Sequence, residues 1–133
     1  MEKDWLLKAH NLIHERFQGR LTLRMISAEV GVHPAHLSRV FHRHYGQTVG
    51  FYIRMLRIKR AIKELSLRNK SLVAVAMDSG FYDQSHFHHV FKRYTGLTPA
   101  EFMRSYTSSY TMRRREEHYV RVCHTVVEGP DRH

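Results

Sequence analysis

Shifting the sequence by 50 residues lays much of it on itself. Val40 falls on Val90, Phe41 on Phe91, Arg43 on Arg93, Gly46 on Gly96, Thr48 on Thr98 and Arg54 on Arg104. His36 falls on His86 and Leu37 on Phe87, while Gly31 and Gly80 match at an offset of 49. AEVGVHPAHLSRVF and MDSGFYDQSHFHHVF therefore look like two copies of one unit. In each copy a short helical pattern meets a glycine-led turn and resumes as a longer helix, the helix-turn-helix arrangement. One helix-glycine-helix pattern is common. Two copies with matching flanks confine the chain to two small helical modules in tandem.

The remaining signals up to about residue 105 are helical too. Asp4 is expected to cap a first helix, with Trp5, Leu6, Ala9, Leu12, Ile13 and Phe17 at spacings of three and four, and Gly19 to end it. Thr22 caps a second helix with Leu23, Ile26 and Val30 on one face. Gly31 stops that helix, and Val32 supplies the apolar contact that follows a glycine cap. HPAHLSRVFHRHYG reads as a third helix, with Pro34 in its first turn and Leu37, Val40 and Phe41 as its buried stripe. Thr48 opens a fourth, running to about Leu67; after the polar break RNKS, Ser71, Asp83 and Thr98 with Pro99 open three more. The fourth helix has two apolar sides, Val49, Ile53 and Leu56 on one and Phe51, Met55, Ile58, Ile62 and Leu65 on the other. A helix covering one core needs a single apolar face, so two faces suit a helix wedged between two modules. The expected fold is all-α: seven helices forming two helix-turn-helix subdomains, about 22–45 and 71–95, joined by a long linker helix at about 48–67, in a domain over 1–105.

Charge narrows the partner. The net charge is +10, with twelve histidines in reserve. Five of the 22 Lys and Arg and four of the 12 Asp and Glu lie beyond residue 105, so residues 1–105 carry 17 against 8. Such a balance favours a polyanion, either nucleic acid or an anionic membrane surface. No apolar run approaches the ~18 residues of a membrane span, and the opening MEKDWLLKAH lacks a secretory h-region. The single cysteine, Cys123, allows no internal disulfide and no cysteine-rich zinc cage. These features point to a reducing, cytoplasmic compartment. No P-loop, paired carboxylate or catalytic triad stands at informative spacing, so neither an enzyme nor a cofactor is expected.

The stretch FYDQSHFHHVFKRYTG places His86, His88 and His89 within four positions. On a helical wheel Phe87, Val90, Phe91 and Tyr94 form the core side, and Ser85, His89 and Lys92 stand opposite, flanked by His88, Arg93 and His86, with Gln84 at the N-terminal end. His86 and His89 sit at i and i+3, His88 lies far around the axis, and no acid or cysteine completes a set. Zinc wants three or four converging ligands, so no metal site is expected. The third helix repeats the wheel: Ala35, Arg39 and His42 face outward, with Ser38, Arg43 and His36 on the flanks. Both outward faces lack carboxylates, whereas a surface helix normally mixes both signs. That favours contact with DNA, with Arg39 suited to fork onto a guanine edge. His36 and His86 read as packing residues, His44 as a core-side structural residue, and Trp5 and the FYIRM aromatics as core.

The segment SLVAVAMDSGFYDQSHFHHVFKRYTGLTPAEFMR carries Val75-Ala76, Gly80-Phe81, Asp83, Ser85, Phe87, Phe91-Lys92, Gly96 and Thr98-Pro99, and RIKRAIKEL precedes it. On these residues the chain, over about positions 5 to 105, resembles the AraC/XylS family of bacterial transcription regulators. The resemblance implies two recognition helices entering neighbouring major-groove segments of one asymmetric double-stranded DNA site. It implies base readers at Ala35, Ser38 and Arg39, and at Gln84, Ser85, His88 and His89. It also implies an activator that touches RNA polymerase. His89 stands where the family often has arginine, which exchanges a fixed charge for one that depends on pH; nearby phosphates favour the charged imidazole. Ala35 offers only a methyl, suited to a thymine methyl. Many members carry a separate effector-binding domain, for which there is no room before Asp4. The chain is expected to lack it, as a stand-alone regulator or as the DNA-binding piece of a longer protein.

Beyond Tyr106 the pattern breaks, and residues 106–133 are expected to be an irregular or disordered tail. HYVRVCHTVV is rich in β-branched residues but has no evident partner strand. The rival reading for the whole chain is a helical protein-binding adaptor with no DNA specificity of its own. It leaves the two acid-free faces unexplained.

Overall fold

Most helices of this chain begin where a side chain can accept a hydrogen bond from the backbone ahead of it. The structure is a computed structural model that describes residues 2–105, so the expectation for the tail lies outside the described residues. Among them are seven helices and no strand: α1 (Glu2–Arg16), α2 (Leu23–Val30), α3 (Pro34–Tyr45), α4 (Val49–Leu67), α5 (Leu72–Asp78), α6 (Gln84–Thr95) and α7 (Pro99–Arg104). Thr22, Thr48, Ser71, Asp83 and Thr98 accept from the amides of Met25, Phe51, Ala74, His86 and Glu101, satisfying donors that the first helical turn leaves orphaned. All five are the caps expected from the sequence. Asp4 is not a cap. α1 already starts at Glu2, because Glu2 and Lys3 are good helix formers with nothing to break the turn. Asp4 sits inside that first turn, where a carboxylate still complements the helix dipole.

Gly31 ends α2 in the left-handed region at φ 75°, and the amides of Gly31 and Val32 both donate to Ser27 O at 2.9 and 3.2 Å. This is the glycine cap with its following apolar residue. In the second copy the glycine comes one step later relative to the helix. Ser79 caps α5, and Gly80, Phe81 and Tyr82 precede the Asp83 cap. Gly31 leads to the His33 cap in two steps and Gly80 to the Asp83 cap in three, which is why the repeat offset changes from 49 to 50.

Two cores result. Leu6, Ala9, Leu12 and Ile13 of α1 pack with Leu21, Ile26, Leu37, Val40 and Phe41, and α4 adds Val49 and Ile53. Farther along α4, Met55, Ile58, Ala61, Ile62 and Leu65 pack with Val75, Ala76, Phe81, Phe87, Val90, Phe91 and Phe102. Tyr52 packs against both cores. The two apolar sides of the linker helix thus serve one module each, and its 19 residues span about 29 Å. In the second core Phe87 meets Phe91 and Phe91 meets Phe102 edge-on, each with centroids 5.5 Å apart. That is a preferred aromatic geometry. Trp5 and Phe51 pack at the edges of the cores as expected.

Candidate nucleic-acid interface

The helices that follow the two turns present their polar sides as the wheels foresaw. α3 buries Leu37, Val40 and Phe41 and exposes Ala35, Arg39, His42 and Arg43, with Ser38 half-buried. Its cap is His33, whose Nδ1 accepts from the Ala35 amide at 3.1 Å. α6 buries Phe87, Val90 and Phe91 and exposes Gln84, Ser85, His89 and Lys92, with His88 half-buried. Gln84, Ser85, His88, His89 and Lys92 line one open depression of ≈ 870 Å³, together with Arg93 and Thr98. On the helical wheel Arg93 stands only on the flank, and by its sequence Thr98 is only a cap; the structure adds both to the depression. The repeat held a signal for Arg93, since it aligns with Arg43.

The triplet of histidines divides. His86 is half-buried against Phe81 and stacks on Tyr82 at 4.9 Å, and its Nδ1 is buried without a hydrogen-bond partner among the described residues. Burial holds its pKa below 6.5, with Asp83 opposing and Arg57, Arg54 and His89 adding to the shift. His36 likewise packs, its ring 5.4 Å from that of Trp5. His44 departs from the expectation. It is exposed and touches Tyr45 edge-on, while the adjacent Tyr45 takes the inward place, stacked on His10 and packed against the first core. Among the described residues no three His, Cys, Asp or Glu converge on a point.

Electrostatics favour an anionic partner on these faces. Neither α3 nor α6 contains an Asp or Glu. The nearest carboxylate by sequence, Asp83, is turned into its cap, accepting from the His86 amide at 2.7 Å. Elsewhere Glu29 pairs with Arg16 at 3.3 Å, and buried Glu64 takes Arg60 at 2.9 Å and Lys70 at 3.3 Å. Lys70 also reaches Asp78 at 2.8 Å, and this hydrogen bond, followed by the one to Glu64, raises its pKa. Glu101 is held in a capping box with Thr98. None of the described helices is long and apolar enough to cross a membrane.

Two helix-turn-helix units, each offering a polar, acid-free second helix, define a DNA-binding module. The comparisons agree. A family model described as a helix-turn-helix domain matches residues 26–105. The HTH-type transcriptional activator AarP of Providencia stuartii is 36% identical over 95 residues, covering 71% of this chain and 70% of AarP. The regulatory protein SoxS of Escherichia coli K12 is 31% identical over 90 residues, covering 68% of this chain and 84% of SoxS. The bifunctional transcriptional activator/DNA repair enzyme AdaA of Bacillus subtilis is 31% identical over 101 residues, and there the match spans only 48% of the relative. Among solved structures, the C-terminal domain of AraT, a response regulator from Geobacillus stearothermophilus, superposes with a TM-score of 0.75 at 24% identity, covering 80% of this chain and 89% of that one, a likeness of fold. A transcriptional regulator from Chromobacterium violaceum with an AraC-type DNA-binding domain gives 0.67 at 28% identity, covering 75% and 89%. The chain belongs to the AraC/XylS family of helix-turn-helix transcription regulators.

Proposed function

We propose that this chain reads one asymmetric site in double-stranded DNA, with α3 and α6 in successive major-groove segments, and that it activates transcription. The observation that carries the reading is the pair of acid-free outward faces at matching positions of two modules that share α4. On α3, Arg39 forks onto guanine O6 and N7, Ala35 contacts a thymine methyl, and Ser38 donates or accepts at a base edge. On α6, Gln84, Ser85, His88 and His89 face the bases. His42, Arg43 and Lys92, joined by Arg93, suit phosphates, which position a protein without specifying sequence. Activation is supported by the activator names of AarP and AdaA, and contact with RNA polymerase is the route proposed for it.

Hydroxyl-radical footprinting on a bound duplex tests the geometry. Two protected segments on one face, about 10 base pairs apart, are expected. A single protected segment would reduce the reading to one working module, and no protection at all would favour the adaptor.

A further inference from the structure

The turn before α6 touches the other module. The Gln18 side chain, in the loop after α1, donates from Nε2 to Asp78 O at 2.9 Å, bridging first module to second. Arg57 of the shared helix donates from Nε to Phe17 O at 2.8 Å and from Nη2 to Gly19 O at 3.0 Å. Gly80 closes against the same loop. A Cβ there would lie 2.7 Å from Phe17 O, 2.8 Å from Arg57 Nε and 3.1 Å from the Gln18 Cα. Its φ of +102° also disfavours any side chain. Gly31, at the equivalent turn of the first module, has nothing within 4 Å of its would-be Cβ. The first glycine answers only a backbone need; the second also admits the neighbouring module.

Each module is anchored to α4 through its own core, so bending of α4 would alter the angle between α3 and α6. The contacts at residues 17–19 resist that bending. A change of angle must break the Gln18 and Arg57 hydrogen bonds and part the glycine from the loop. We propose that Gln18, Arg57 and Gly80 form a clamp that sets the orientation of the two recognition helices, and with it the separation of half-sites the protein accepts. This inference rests on the two-groove reading above. Its physical basis is pre-organisation. Once one module has bound, the second meets its half-site at an effective concentration that depends on how well the connection holds it in place.

The test uses duplexes carrying a two-part site with its halves at the preferred separation, moved by one base pair either way, or with one half scrambled. The wild-type protein should lose about tenfold or more in affinity when the separation changes, as expected of a stiff two-site ligand. Gly80→Ala is the sharpest probe. Should it fail to melt cooperatively, the milder double variant Gln18→Ala with Arg57→Lys keeps the charge while shortening the reach, and it carries the same test. With the clamp open, the loss on moving the halves should shrink to about threefold or less, again on effective-concentration grounds, while affinity for the single-half duplexes holds. An unchanged spacing profile in the double variant would overturn the clamp. So would an equal loss on single-half duplexes, which would mark these residues as mere supports of their modules. Indifference of the wild-type protein to scrambling one half would instead overturn the two-groove reading itself, and the clamp with it.

Discussion

Arg39 and His89 carry different physics on matching faces. Arg39 is exposed in the second turn of α3 and always charged, with a fixed fork for a guanine edge. His89 is exposed on α6 and offers one or two donors according to its protonation. Arg39→Ala is therefore expected to cost about 1–3 kcal/mol and to relax sequence preference at one half of the site. Competition binding against duplexes varied at that half measures both effects; a loss that is uniform over all sequences would make Arg39 a phosphate contact instead. At this scale exposure was legible wherever period decided it. Ala35, Arg39, Gln84 and His89 all stand where a wheel puts them. His44 is the exception: in the last turn of α3 the inward place goes to Tyr45, which stacks on His10 of α1, and a wheel drawn for one helix does not record that neighbour.

The helices were legible because their starts are local. A Thr, Ser or Asp side chain reaches an amide two or three positions ahead without help from the rest of the fold, and five such caps lie where the sequence places them. Asp4 failed for the same reason, since local propensity lets α1 continue back through it. α7 is the shortest of the described helices, six residues, and it contributes fully buried Phe102 to the second core. Its hold depends on the reciprocal box in which Thr98 Oγ1 accepts from the Glu101 amide at 3.1 Å and the Thr98 amide donates to Glu101 Oε1 at 2.8 Å. Thr98→Ala should cost about 1 kcal/mol in urea unfolding. The Thr98 amide, and then its side chain, hold the Glu101 carboxyl below its ordinary value of 4.5. A carboxylate depressed in the folded state stabilises above its unfolded value, and the contribution fades as pH falls through the folded one. The stability difference between the parent and Glu101→Gln should therefore shrink on acidification below 4.5. A difference independent of pH would show that the charge plays no part in the box.

For the whole molecule, the repeat made the tandem architecture legible and the two faces of α4 made its shared helix legible. The meeting of Gly80 with Phe17 was not. It depends on where two chain segments arrive after both cores have formed, and neither segment's own pattern records the other. The charge of the helical body yields a global expectation. If six to ten phosphates are neutralised, affinity should fall roughly 10³- to 10⁵-fold between about 50 and 200 mM salt. A shallow slope in a salt titration would point to the adaptor.

The most direct test of the central claim is selection from random duplex DNA with the wild-type protein, Arg39→Ala and His89→Ala in parallel. The account predicts an asymmetric motif with two halves about one helical turn apart, in which each variant blurs one half and leaves the other intact. A motif with a single half, or two variants that blur the same positions, would contradict it.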